Sequence, residues 1–299
     1  MDRVTSMRVF ARAAEAGSLS AAARHIGMSP AMATKHVNAL EARLGVKLFH
    51  RSTRRLALTE AGASYLEACH RILADIDEAE AAAASQRVIA SGLLRMNVPL
   101  SFGSRYIAPL LPEFSARYPQ VTVELGLSDV TLDLVAGGWD LAIRIGRLSD
   151  SAMQARRLGD SAMMVCASPH YLDQRGVPRR VAELAQHNCL SYTLSGMQSS
   201  KKWLFGKDGD VQVSVNGNLL ANNGDALLAA AVQGQGIIYQ PHFIVGTALA
   251  RGELVELKLD TPSVELGGIH VLYPPDRRPP AKVRVMIDYL ASVFSSNPP

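Results

Sequence analysis

The chain has 299 residues, 48% hydrophobic and 19% charged, which suggests two or three domains of an ordinary globular protein and excludes a disordered one. No apolar run reaches the roughly 18 residues needed to span a bilayer, and the opening MDRVTSMRVFARAAEAGS puts charge into every turn, so neither a membrane span nor a secretory signal is expected. The net charge of +4 is unevenly divided, with +6 on residues 1–62, −3 on 63–91 and +1 on 92–299; a basic head on a near-neutral body points to a polyanion, nucleic acid first.

The head reads as short helices. Met7, Phe10 and Ala14 share one helical face, and Gly17 stops it. SLSAAARHIG gives a second helix with Leu19, Ala22, Ala23 and Ile26 inward, ended by Gly27. Ser29 then caps a longer helix with Pro30 at its first position, where no N–H is needed. Ala33, Val37, Leu40 and Leu44 form its expected buried stripe. Ala31, Thr34, Lys35 and Asn38 form the opposite face, which is small, polar and basic. Two helices joined by a tight glycine turn, the second bearing such a face, make the helix-turn-helix pattern. After Gly45 the period becomes two: Leu48 and Leu56/Leu58 flank HRSTRR as two short strands with a basic loop, a wing.

Thr59 caps a helix expected to run to about residue 90. Tyr65, Cys69, Ile72, Ile76, Ala79 and Ala83 follow one another at spacings of four and three, a heptad seam. At 1.5 Å per residue the helix would reach about 45 Å, too long to bury its stripe on a small head. A partner helix from a second chain is the economical expectation, with packing on the C-terminal region as the alternative.

From residue 91 strands and helices alternate. Strands are expected at Leu93–Val98, Val121–Leu127, Asp140–Ile145, Met163–Ala167, Gly236–Tyr239, Leu254–Leu257 and Ile269–Leu272. Helices are expected at Ser101–Tyr118, Leu132–Ala136, from SPHYL, at Asp225–Val232, near Ile244–Ala250 and at Ala281–Phe294. The pattern implies an α/β, mostly parallel, doubly wound architecture. About 200 residues exceed one comfortable core, so two lobes with a ligand cleft between them are expected.

The phrases FARAAEAGSLSAAARHIG, SPAMATKHVNALEARLG and LFHRSTRRLALTEAG resemble the N-terminal head of LysR-type transcriptional regulators. IAPLLPEFSARYP, DLAIRIG, RRLG, ASPHYL and NNGDALLAAAVQGQGI resemble that family's effector domain; ASPHYL, HNCLSY and the Trp203 segment are similar to its CrgA-like branch. Thr34, Lys35 and His36 depart from the usual Ser, Arg and Gln, and a lysine lacks arginine's bidentate fork for guanine. The resemblance implies a winged helix-turn-helix domain at 1–60, a linker dimerisation helix at 61–90 and a two-lobed, periplasmic-binding-protein-like effector domain at 91–299. Lobe I would take 91–161 and 267–299, and lobe II 162–266. It also implies a homodimer or homotetramer on promoter DNA, with access of RNA polymerase controlled by a small-molecule effector.

Candidate DNA-binding residues are Ser29, Pro30, Ala31, Thr34, Lys35 and Asn38 on the recognition helix, with Thr34 and Lys35 toward base edges. Arg51, Thr53, Arg54 and Arg55 of the wing are candidate phosphate contacts. Ser101 is expected at a helix N-terminus, where amides and the helix dipole favour an anion, and Ser128 ends the next strand in the same way. Arg144, near a strand's carboxyl end, could pair with a carboxylate effector or with an acid of the protein. With Phe102 and Asn222, which the resemblance adds, these are the candidate effector contacts.

Other classes fit less well. Ser199-x-x-Lys202 lacks the partner motifs of penicillin-binding enzymes. Gly234-x-Gly236 lacks a third glycine and precedes a strand. The eight histidines form no metal-ligand spacing. Cys69, Cys166 and Cys189 are expected as buried hydrophobes in a reducing cytoplasm, and Trp203 as core. No catalytic residue, metal or cofactor is expected. A receptor without regulatory function would leave the basic head unexplained, and a non-specific architectural DNA binder would not need the α/β body.

Overall fold

A computed structural model describes residues 1–51, 56–83, 89–130, 133–148, 152–194, 200–275 and 279–296. It divides into two compact units, Met1–Ile89 and Ala90–Pro299.

In the first unit, α1 (Arg3–Ala16) starts on Asp2, whose carboxylate accepts from the Thr5 N–H at 2.8 Å. α2 (Leu19–Ile26) ends at Gly27, whose φ of +75° is the left-handed conformation that turns the chain toward α3 (Pro30–Leu44). Ser29 caps α3 as expected, its hydroxyl accepting from the Met32 N–H at 3.3 Å. Met7, Phe10, Ala22, Ala23, Ala33, Val37 and Leu40 make the three-helix core, which Leu48 and Phe49 complete.

The buried stripe of α3 differs from expectation at its end. Leu44 is exposed, whereas His36 and Glu41 are buried. The reason is the wing: Gly45 stops the helix, and Leu48 and Phe49 fold back to occupy the core volume that Leu44 would have filled. The wing is β1 (Phe49–Arg51) antiparallel to β2 (Leu56–Leu58), with Phe49 opposite Leu58.

Thr59 caps α4 (Glu60–Ala83), its hydroxyl accepting from the Gly62 N–H at 2.9 Å. At 24 residues this helix is about 36 Å long. Its first half contradicts the expectation of a seam wholly open to a second chain. Cys69 is fully buried in the head's own core, and Tyr65, Leu66 and Leu73 pack on the same core, with the Tyr65 ring 5.6 Å from that of Phe10. The head can cover these positions because α1 lies along the start of α4. Ile72 is exposed and Ile76 half-buried; the side chains of Ala79 and Ala83 lie outside the described residues.

The second unit is built on a mixed sheet. In lobe I, β3 (Gly92–Val98) pairs parallel with β4 (Val121–Leu127) and β5 (Leu141–Gly146), and β5 pairs antiparallel with β13 (Glu265–Tyr273). In lobe II, β11 (Ile237–Pro241) pairs parallel with β7 (Cys189–Tyr192), which pairs parallel with β10 (Leu220–Ala221). β6 (Gln154–Ala167) joins the lobes: its first half pairs with β13, and its second half with β11 and with β12 (Val255–Glu256), all antiparallel. The expected mostly parallel sheet is therefore interrupted at its centre. A two-lobed chain must leave one lobe and return, and the outgoing and returning strands run oppositely. β8 (Lys202–Phe205) and β9 (Val211–Ser214) form a separate hairpin.

The helix expected over Ser101–Tyr118 is broken. α5 (Leu100–Phe102) passes through a π turn and a 3₁₀ turn before α6 (Leu111–Arg117), because Pro109 and Pro112 cannot donate to an unbroken α ladder. α7 (Pro169–Arg175), α8 (Gly224–Val232), α9 (His242–Ala250) and α10 (Ala281–Ser296) follow. α10 is tied to lobe I by Lys282, buried with Asp140 at 2.8 Å and donating to the Leu93 carbonyl at 2.5 Å.

Candidate functional sites

On the first unit, Ser29, Pro30, Ala31, Lys35 and Asn38 are exposed along one side of α3, beside the wing. Thr34 is half-buried, and its hydroxyl donates to the Pro30 carbonyl at 2.9 Å, so it offers its methyl group and oxygen lone pairs to that side. His36 is not on this face: its ring lies inside with Nδ1 2.9 Å from the Ser6 hydroxyl, so this departure from the family pattern concerns packing. Arg51 lies on β1, but its side chain, with Thr53, Arg54 and Arg55, is outside the described residues.

The position of the wing depends on Glu41, a residue that periodicity alone reads as a polar break in the stripe. Its carboxylate accepts from the Leu48 N–H at 3.0 Å, the Phe49 N–H at 3.4 Å and Lys47 Nζ at 2.7 Å. Burial alone would raise its pKa, but these three donors outweigh it and hold the carboxyl below its ordinary range.

On the second unit a cavity of about 960 Å³ opens between the lobes. Ser101, Ser128 and Arg144 line it; Phe102 and Asn222 do not. Phe102 is fully buried, stacked on Tyr106 at 5.1 Å and perpendicular to the Phe243 ring, because one helical step from Ser101 turns its ring into the core. Asn222 is exposed after β10, and it is the next residue, Asn223, that caps α8 by accepting from the Ala226 N–H at 3.1 Å.

The expected anion site at Ser101 is occupied by the protein itself. The Leu100 N–H at the start of α5 donates to Asp129 Oδ1 at 3.0 Å, and the Ser101 hydroxyl donates to Asp225 Oδ2 at 2.7 Å. Arg105 also pairs with Asp225 and donates to the Ile244 carbonyl at 2.9 Å, so this flank of the cleft is latched lobe to lobe. Burial and, secondarily, the nearby Asp225 raise the pKa of Asp129. Among the described residues Arg144 has no acidic partner; its Nη1 donates to Asn97 Oδ1 at 2.8 Å and to the Ile143 carbonyl at 3.1 Å.

The family models cover nearly all of the chain. Residues 4–63 match "Bacterial regulatory helix-turn-helix protein, lysR family" and residues 89–295 match "LysR substrate binding domain". The chain belongs to the LysR family of transcriptional regulators. It is 36% identical over 284 residues to an uncharacterized HTH-type transcriptional regulator of Haemophilus influenzae, covering 95% of this chain and 98% of that one. It is 33% identical to the HTH-type transcriptional regulator CrgA of Neisseria meningitidis, covering 97% of both. The solved structure of CrgA matches with a TM-score of 0.63 at 32% identity, covering 98% of this chain and 99% of that one. The full-length Vibrio cholerae virulence activator AphB matches with 0.60 at 28%, covering 98% and 100%.

As a LysR-type regulator the chain binds promoter DNA through its head and carries an effector-binding domain; the family regulates transcription and is not enzymatic. The cleft contains residues that sequence patterning does not mark as a site: Tyr192, Tyr239 and Phe243 line it. Trp203, expected as core, is 2% exposed in the lobe II core and reaches the cavity wall as well. Core aromatics on neighbouring strands carry no period that distinguishes a cavity wall from an interior. The three cysteines are buried and unpaired, and burial pushes their thiols up to about 11 for Cys69 and about 12 for Cys166 and Cys189, so they stay protonated. No helix among the described residues is long and apolar enough to cross a membrane.

Proposed function

We propose that α3 enters the major groove of promoter DNA with Lys35 and Thr34 toward base edges and Ser29, Pro30, Ala31 and Asn38 along the groove wall, while Arg51, Thr53, Arg54 and Arg55 hold phosphates. The observation that carries this reading is the exposed, small and basic side of α3 beside the wing, on a helix whose opposite face packs Ala33, Val37 and Leu40 into the head's core. Two heads paired through the linker helix read half-sites one helical turn, about 34 Å, apart or a multiple of it. Because the head covers Tyr65 and Cys69, the seam begins at Ile72 and continues through Ile76, Ala79 and Ala83. Dimers joined through the effector domains make the tetramer. The functional parts are 1–60, 61–90 and 91–299, working in the cytoplasm.

The interlobe cleft, with Ser101, Ser128 and Arg144 on its wall, takes the small-molecule effector. An effector that binds one lobe arrangement better shifts the population toward it, and so changes the spacing of the heads, the DNA bend and the access of RNA polymerase. Footprinting on sites selected from genomic DNA tests the head. Lys35→Ala is expected to abolish the specific footprint, and Arg54→Ala to weaken binding to every sequence alike; unchanged protection by both variants would refute the assignment.

A further inference from the structure

His36 directly follows Thr34 and Lys35 in α3 but points away from them, into the head, where it is 7% exposed. Its Nδ1 lies 2.9 Å from the hydroxyl of Ser6 on α1, a residue itself buried. A serine hydroxyl has a single proton to give, and that of Ser6 goes to the Asp2 carbonyl at 2.8 Å. His36 is then the donor of the pair, with its proton on Nδ1. The Asp2 end is fixed in turn, because its carbonyl also accepts from the Ser6 N–H at 3.2 Å and its carboxylate from the Thr5 N–H at 2.8 Å. A line of hydrogen bonds thus runs from the start of α1 to the residue beside Lys35.

The apolar contacts of α3 have a different character. Ala33, Val37 and Leu40 sit in the head's core, and burial of this kind is non-directional. It presses the helix onto the core and resists rotation about the helix axis only weakly. Hydrogen bonds weaken steeply with angle. The His36–Ser6 contact therefore fixes the rotation at mid-helix, as the bonds of Glu41 to the wing fix it near the end. A turn of about 10° moves atoms at the helix's outer radius, roughly 5–6 Å, by about 1 Å. That exceeds the roughly 0.5 Å within which a recognition constellation must be held.

We propose that His36 is a positioning residue for sequence reading: as an Nδ1–H donor to Ser6 it sets the rotation of α3, and so the aim of Lys35 and Thr34, without touching DNA. This rests on the reading of α3 as the groove-entering helix and names a residue that controls its selectivity. Phosphate contacts carry no sequence information, so a rotated helix loses discrimination between sequences while keeping its affinity for DNA in general.

The test is anisotropy titration of the full-length protein on a site selected from genomic DNA and on a scrambled duplex of equal length. His36→Leu leaves the Ser6 proton on the Asp2 carbonyl and strands no donor, so the head is expected to melt within a few degrees of the parent. Its ratio of specific to non-specific affinity is expected to fall about tenfold or more, with non-specific affinity unchanged within about twofold. His36→Asn, whose Nδ2–H can stand where the ring's Nδ1–H stood, is expected to restore most of the ratio. Ser6→Ala is expected to lose it, and the double variant to be no worse than either single one. Nitrogen NMR of the imidazole is expected to find the proton on Nδ1. A proton on Nε2 alone, a ratio that His36→Leu leaves intact, or a loss matched by an equal fall in non-specific affinity and a melted head would overturn the proposal. The groove reading is tested separately. If Lys35→Ala loses the footprint while His36→Leu keeps the ratio, only the positioning role falls; if Lys35→Ala keeps the footprint, both fall together.

Discussion

Replacing Glu41 by alanine removes the acceptor that holds the start of the wing. The structure separates its contributions. The Leu48 N–H at 3.0 Å loses its side-chain acceptor, and the Phe49 N–H at 3.4 Å loses a weaker one; a buried donor left unpaired costs about 1–3 kcal/mol. The ion pair adds little, because the Lys47 side chain is 72% exposed and such pairs contribute under about 1 kcal/mol. The expected loss for Glu41→Ala is about 3 kcal/mol, which lowers the melting temperature of a unit this size by roughly 12–24 °C. Lys47→Ala is expected to cost under about 1 kcal/mol. Since the folded carboxyl titrates below the ordinary 4.5, its stabilisation is complete above that pH and is lost as pH falls through the folded value. Calorimetry of the head transition, with amide exchange at Leu48 and Phe49, measures all three. If Lys47→Ala costs as much as Glu41→Ala, or if Glu41→Ala leaves exchange at both amides unchanged, the carboxylate is not what positions the wing.

Two further perturbations probe the packing. A Cβ on Gly62 would lie 2.0 Å from the Leu48 carbonyl oxygen, so Gly62→Ala is expected to push α4 off the wing and lower the head's melting temperature by well over 10 °C in a thermal scan, about 3 kcal/mol. Lys282→Met leaves Asp140, whose side chain is 13% exposed, without its cation and with the Arg95 N–H still donating to it, an expected loss of about 3 kcal/mol from the effector unit in urea unfolding, with the head transition unmoved.

Much of the head was legible because its signals are local. Gly17, Gly27 and Gly45 end the three helices where the pattern ends them, and Ser29 with Pro30 starts the third. The stripe of α3 misled at Leu44 because the residues that replace it, Leu48 and Phe49, come from a separate element. Tyr65 and Cys69 carry a heptad spacing that serves two surfaces equally well, and only the placement of α1 along α4 assigns them to the head. In the cleft, Ser101, Ser128 and Arg144 were named for lying at strand ends, and the fold brings them to one cavity. Phe102 fell away on a rotation of one helical step, which spacing cannot resolve to better than a residue.

The amino-acid order alone determined where helices begin and end, which part of the chain carries the positive charge and, through long motifs, the family. Those properties depend on neighbours a few positions apart, on caps, periods and turn residues. Tertiary structure decided what the charged groups do. Glu41 became a buried clasp, Asp129 and Asp225 became partners of the protein's own donors, and Arg144 was left with neutral acceptors and no acidic partner among the described residues. The cause is that desolvation and pairing depend on what distant segments bring within a few ångströms, and no local pattern encodes that distance.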